Sequence, residues 1–200
     1  MYKKISRIIT NKLIQLDIIN SGDYDIYKYG FELLISLFFT TIFILIFSAI
    51  INKFIETLLF MIVFLLTRII CGGYHAKHHY SCFLGTISIY VFSLLLYYLI
   101  YSTPFAYLIM FPATIVSALI IIIFSPIEHP NNPMTAYRKV KNRFYSRILS
   151  IFICLMCFIS LFIEHKTTSS LSFYIGFIFA AITVLVAKIE IIILKRKEGA

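Results

Sequence analysis

Six long runs of apolar residues constrain this chain more than any other feature: about 31–51, 54–70, 83–101, 105–125, 148–163 and 171–187. Each is close to the ~17–25 residues that a tilted helix needs to cross the hydrocarbon core of a bilayer. No water is available there, so each backbone must satisfy its own hydrogen bonds, and the runs are predicted to be helices, not open strands. Pro112 falls inside the fourth run and predicts a kink. The composition agrees. Hydrophobic residues make up 60% and charged residues 14%, against about 25% charged in an ordinary soluble domain. A 23.2 kDa globule cannot bury that much apolar surface. The expected class is all-α, a polytopic membrane protein forming one membrane domain over residues 1–200. No cleaved signal peptide is expected. The first 30 residues are too charged, and no short apolar core ends in a small-residue cleavage site.

The basic residues orient the chain. With the N-terminus in the cytoplasm, fifteen of the Lys and Arg residues fall on the cytoplasmic side: Lys3, Lys4, Arg7, Lys12, Lys28, Arg68, Lys77, Arg138, Lys139, Lys141, Arg143, Arg147, Lys195, Arg196 and Lys197. Lys53 and Lys166 fall outside, and Lys188 lies near the inner end of the last run. The positive-inside bias therefore predicts that both termini are cytoplasmic. The net charge of +9 is explained in the same way, so nucleic acid is not an expected partner.

Residues 1–30 form a cytoplasmic segment with an amphipathic start. Ile5, Ile8, Ile9, Lys12, Leu13 and Leu16 follow helical spacing, while Lys3, Lys4, Arg7 and Asn11 lie elsewhere on the wheel. This pattern predicts an interfacial helix on the inner leaflet. An ordinary docked helix fits it too. Residues 125–147 read as the longest cytoplasmic loop, extended at first because of Pro126, Pro130 and Pro133, then basic. Such a loop can anchor to anionic lipid or present a docking face to an acidic peptide.

The reactive side chains gather in "RIICGGYHAKHHYSC", residues 68–82, on the cytoplasmic side between the second and third runs. Gly72 and Gly73 break a helix and allow close backbone approach. His75 and Cys82 follow. A thiol is a good nucleophile only as the thiolate, and an imidazole nearby is the usual means of forming one. On one straight helix the two Cα atoms would stand ~10 Å apart along the axis, too far for direct contact. The pairing therefore predicts a bend between them. His78 and His79 sit better for Cys82 on an ideal helix and are rival bases.

A metal is the alternative. His75, His78 or His79, and Cys82 recur at a spacing that can group three ligands, although Glu is absent from 57–127 and there is no H-E-x-x-H. Cys71, Cys154 and Cys157 read as packing residues. Glu32 and Glu56 stand near helix ends within reach of headgroups, and Glu190 near Lys188 reads as a paired or snorkelling group. His129 and His165 read as solvated. Several Tyr residues flank the apolar runs as interfacial anchors would.

Arg68, Gly73, His75 and Cys82, spaced R-x4-G-x-H-x6-C between apolar runs, resemble the signature of the AgrB (accessory gene regulator protein B) family. The length, the basic amphipathic N-terminus and the Pro-rich "SPIEHPNNP" after the fourth run agree with it. The resemblance implies a cysteine endopeptidase in the bacterial cell membrane, with its active site on the cytoplasmic side. It acts on an AgrD-like quorum-sensing precursor peptide, without a cofactor. Cys82 would be the nucleophile and His75 the base and acid, with Arg68 and Gly73 supporting. A thioester on Cys82 would pass to an internal Cys or Ser of the peptide, releasing a thiolactone or lactone. The resemblance also implies homodimers, within membrane lipid. Asn131, Asn132 or Glu128 can orient His75, and the residues do not choose among them. Two other readings remain: a zinc-dependent membrane hydrolase using His75, His78 or His79, and Cys82, and a non-enzymatic peptide transporter.

Overall fold

A computed structural model describes residues 2–72, 79–103, 105–128, 134–162 and 168–198. The chain is 88% helical, and among the described residues there is no strand. The helices are α1 (Tyr2–Gln15), α2 (Tyr24–Ile50), α3 (Phe54–Cys71), α4 (His79–Tyr101), α5 (Ala106–Phe124), α6 (Ala136–Ser160) and α7 (Thr168–Glu198). The six from α2 to α7 are each long and apolar enough to cross a bilayer. Large apolar side chains cover their outer faces, as in Leu34, Phe38, Leu99, Ile123 and Ile151, all more than half exposed. That surface suits lipid, and the chain is a multi-pass membrane protein.

Lipid tails are as apolar as leucine, so close packing and buried hydrogen bonds, not exclusion from water, hold such a bundle together. The centre is the α3–α7 pair. On α7, Gly176, Ala180, Ala181 and Ala187 are small and buried beside Tyr174, Phe177 and Val184. The helices meet most closely at Gly176, where an added Cβ would stand 2.7 Å from the Phe60 carbonyl oxygen. Phe60 and Phe64 stack along the α3 side, with ring centroids 5.5 Å apart.

On α2 the buried face is Glu32, Ser36, Thr40, Ile44 and Ser48, a stripe at four-residue spacing. The polar and small side chains turn inward and the large apolar ones outward, the reverse of a soluble helix. The Thr40 hydroxyl is satisfied by donating to the Ser36 carbonyl at 2.7 Å. Helix α1 docks on α2 through a similar stripe. Ser6 and Thr10 are fully buried, and Ser6 Oγ donates to Glu32 Oε1 at 3.3 Å. Glu32 is thus buried in a helix contact and does not reach headgroups. Of the predicted apolar stripe, Ile8, and Leu16 just beyond α1, stay more than half exposed, while Ile5, Ile9 and Leu13 are partly buried.

Four tyrosines do something other than anchor at an interface. Tyr90 bonds Thr57 at 2.8 Å, Tyr174 bonds Ser160 at 2.6 Å, Tyr107 bonds Ser170, and Tyr97 donates to Glu56 at 3.5 Å. All four rings are buried, so each ties two helices together through its hydroxyl. Glu56 also pairs with Lys53 at 3.0 Å, and the Lys53 ammonium lies 5.1 Å from the Tyr97 ring centre and 5.8 Å from that of Tyr101. Burial works against the Lys53 charge, but Glu56 and Tyr97 hold its pKa above the ordinary lysine value. Cys157 is fully buried and accepts from Thr114 at 3.8 Å, which fits the packing role expected for it.

Several helix limits differ from the apolar runs. Helix α2 begins at Tyr24, not near 31, and α7 continues to Glu198, past 187. The largest difference is α6, which begins at Ala136, so that the basic stretch 136–147 is helical and not loop. Hydropathy marks only the part of a helix that sits in hydrocarbon. Lys, Arg and Tyr are compatible with continuing it beyond. Thr135 caps the start of α6 by accepting from Arg138 N at 3.3 Å, and Lys141 sits between the Tyr137 and Tyr145 rings one turn on either side. Helix α5 runs on through Pro112, whose ring is exposed.

Candidate functional site

Helix α3 delivers Arg68 and Cys71 to one end of the bundle. The helix stops at Gly72, whose backbone has φ 73° and ψ −174°, a conformation open essentially to glycine alone. The last carbonyls of a helix need outside donors. Here the Ile127 amide, in the α5–α6 connection, donates to the Cys71 carbonyl at 2.9 Å. The two strands of backbone come so close that a Cβ on Gly72 would stand 2.6 Å from the Ile127 oxygen. Cys71 is fully buried under this contact, as expected for a packing residue. Thr67 Oγ1, one turn before it, is buried with no hydrogen-bond partner among the described residues.

Beside the contact is a cavity of about 220 Å³. Arg68 and Gly72 line it from α3; Ser36 and Thr40, with Leu33, Leu34 and Leu37, from α2; Thr86 from α4; Ile127 from the connection; and Met134 and Arg138 from the start of α6. Its walls are apolar except for hydroxyls and two guanidinium groups. Of the basic stretch predicted to form a docking face, only Arg138 reaches this cavity.

Cys82 falls in the first turn of α4, which starts at His79. It lies four residues before Thr86, so the two backbone positions share a helix face, and Thr86 is buried at the cavity wall. The segments carrying Arg68 and Cys82 therefore flank one cavity. Gly73, His75 and His78 lie outside the described residues, as do the side chains of His79 and Cys82. The bend predicted between His75 and Cys82, the choice among rival bases and the metal alternative fall there. Asn131, Asn132, His129 and His165 lie outside them too.

Glu128, a candidate to orient the base, is engaged elsewhere. It is exposed, and its two oxygens accept from Lys139 Nζ at 3.1 Å and Met134 N at 3.2 Å. The Lys139 contact first, and then the Met134 amide, hold its carboxyl below the usual carboxylate range. It clips the first part of the connection to Met134 and to the start of α6. Glu190, expected to pair or snorkel, has a buried Oε2 with no hydrogen-bond partner among the described residues.

Of the residues that line this cavity, the sequence motif marks Arg68; Arg138 is one of many basic residues in the 125–147 stretch, and Ile127, Thr86 and the Ser36–Thr40 pair carry no motif. The α2 stripe shows in the sequence as Glu32, Ser36, Thr40 and Ser48, polar at four of five successive four-residue steps, a pattern that average hydropathy hides.

No curated protein and no solved structure matches the chain. The family model for accessory gene regulator B matches residues 3–184. That span takes in α1, the reactive cluster, the cavity residues and most of α7, and the chain belongs to the accessory gene regulator B family.

Proposed function

We propose that the chain is a membrane-embedded cysteine endopeptidase that cleaves the C-terminal part of an AgrD-like precursor peptide through a Cys82 thioester and promotes its cyclisation. Membership of the family associates the chain with accessory gene regulator autoinducer processing. The observation that carries the finer reading is the cavity between Arg68, Gly72 and Thr86, beside the Cys82 turn of α4.

His75 takes the Cys82 thiol proton, and the thiolate attacks a backbone carbonyl of the precursor. The C–N bond then breaks, the leaving amine takes that proton from His75, and the N-terminal part remains as a thioester. An internal Cys or Ser of the peptide attacks the thioester in turn. The C–S bond to the enzyme breaks, a thiolactone or lactone leaves, and the proton lost by the attacking group returns to Cys82. Exchange of one thioester for another is close to neutral. Tethering favours the internal nucleophile over water. Arg68 orients the peptide, since a planar guanidinium suits a carboxylate or carbonyl, and Gly73 permits the turn that brings His75 to Cys82. The N- and C-termini and the site lie on the cytoplasmic side, by the distribution of basic residues.

Mass spectrometry of the protein after exposure to its precursor tests this. The expected result is an adduct on Cys82 whose mass equals the precursor without its C-terminal segment. Cleavage without any adduct, blocked by chelator and restored by zinc, would overturn it in favour of a metal hydrolase.

A further inference from the structure

The cavity beside Gly72 adjoins a second space. Leu34, Leu37 and Leu65 line it, and the same three residues line a second, open groove of about 680 Å³ on the outer surface of α2. That groove is completed by Ile5 of α1 and by Ile35, Phe38, Phe39 and Thr41. It is apolar almost throughout, and Leu34 and Phe38 are more than half exposed to the lipid side. From Leu34 to Thr41 it follows α2 for ~10 Å toward the middle of the bilayer. A chamber with two guanidinium groups thus lies beside an apolar groove that faces lipid, with Leu34, Leu37 and Leu65 bordering both.

We infer that the cavity and its adjoining groove together form a binding site for one anionic phospholipid, with the phosphate between Arg68 and Arg138 and an acyl chain along Leu34, Leu37 and Phe38.

Three observations favour this occupant. Among the described residues no carboxylate lines either space, so the charge is complementary to a phosphate. Guanidinium groups bind phosphate through paired hydrogen bonds, and Thr86 and Ser36 also line the cavity. The cationic end also adjoins the helix start carrying Lys139, Lys141 and Arg143, which concentrates anionic lipid near the surface. The groove, open along one side, suits a chain already in the bilayer. The inference goes beyond the endopeptidase reading: lipid phosphate and precursor would compete for Arg68, so it describes the chain before the peptide binds and is tested without any peptide.

Native mass spectrometry of the delipidated full chain in detergent decides it, with phosphatidylglycerol, phosphatidylcholine or inorganic phosphate added. The expected result is one retained phosphatidylglycerol and lower occupancy by phosphatidylcholine, which has the same phosphate but brings a quaternary ammonium, a like charge, beside the two guanidinium groups. Arg138→Gln is expected to lower phosphatidylglycerol retention to a similar degree. Arg147→Gln, which removes the same charge from α6 away from the cavity, leaves it unchanged. Leu34→Trp, which fills the shared wall, lowers retention with both guanidinium groups intact. Excess inorganic phosphate does not displace the lipid. Equal retention of the two lipids, equal effects of Arg138→Gln and Arg147→Gln, or displacement by phosphate would each overturn the proposal.

Discussion

The carbonyl oxygen of Ile127 stands 2.6 Å from where a Cβ on Gly72 would lie. This close approach joins the end of α3 to the α5–α6 connection, and it makes Gly72 a structural requirement beside the reactive cluster. Gly72→Ala meets a backbone atom that cannot move aside and a φ of 73° as well. The strain costs roughly 1–3 kcal/mol. A lower melting temperature in detergent and weaker precursor cleavage are expected. Gly30→Ala, which meets nothing within 4 Å, is the control and should melt no lower than the parent. Equal melting of all three proteins would remove the Gly72 argument.

Gly176 is the second tight contact. Its neighbour, Phe60, presents backbone and not a movable side chain, at 2.7 Å from an added Cβ. Gly176→Ala therefore forces α3 and α7 apart, at a cost of about 1–3 kcal/mol. Thermal unfolding in detergent should show the loss, and Gly85→Ala, in open space, should not.

The thiols separate by role. Cys71 and Cys157 are fully buried in packed contacts, so Cys71→Ala and Cys157→Ala should keep cleavage at reduced stability. Cys82→Ala and His75→Ala should abolish cleavage of the precursor, measured by gel or mass spectrometry. Full cleavage by Cys82→Ala would end the endopeptidase proposal.

Glu128 gives a pH test. Its pKa in the folded protein is depressed from an ordinary value of 4.5, chiefly by Lys139. A depressed carboxylate contributes stability that is present above its unfolded pKa and is lost as pH falls through the folded one. The clip should therefore hold at neutral pH and release on the acid side of 4.5. In Lys139→Met the Glu128 pKa should rise toward that value, read by NMR of a 13C-labelled carboxyl. An unchanged midpoint would show that Lys139 does not hold the carboxylate.

At the other end of α3, Lys53→Met removes the ion pair with Glu56 and the ammonium from the Tyr97 and Tyr101 rings. The loss expected is about 1 kcal/mol in thermal stability. Cleavage should not change, because α3 separates this cluster from Gly72 by ~27 Å of helix. A large fall in cleavage with intact folding would contradict that independence.

Average hydropathy located the membrane helices but misjudged their ends. It found six spans because crossing hydrocarbon demands length and apolarity. It shortened α2, α6 and α7 because charged and aromatic residues continue a helix into the headgroup region without raising hydropathy. The residues 136–147 show the error clearly: a run of Lys and Arg after prolines looks like loop, and a Thr cap plus Lys141 stacked between two tyrosines makes it helix. The Gly72–Gly73 pair was legible as a site of close backbone approach, and at Gly72 that is what occurs. Which backbone approaches it was not legible, since Ile127 is 55 residues away in sequence, 127 minus 72.

By itself, then, the sequence determined the membrane-spanning class, the helix count and the family, all of which follow from local composition and from motif spacing. Only the tertiary structure decided that α2 turns Glu32, Ser36 and Thr40 inward, that tyrosine hydroxyls lock the helices, and that Arg68, Thr86 and Arg138 line one cavity. Those facts depend on which helix faces meet. In lipid that choice is made by close packing and buried hydrogen bonds between distant segments, and no single stretch of chain encodes it.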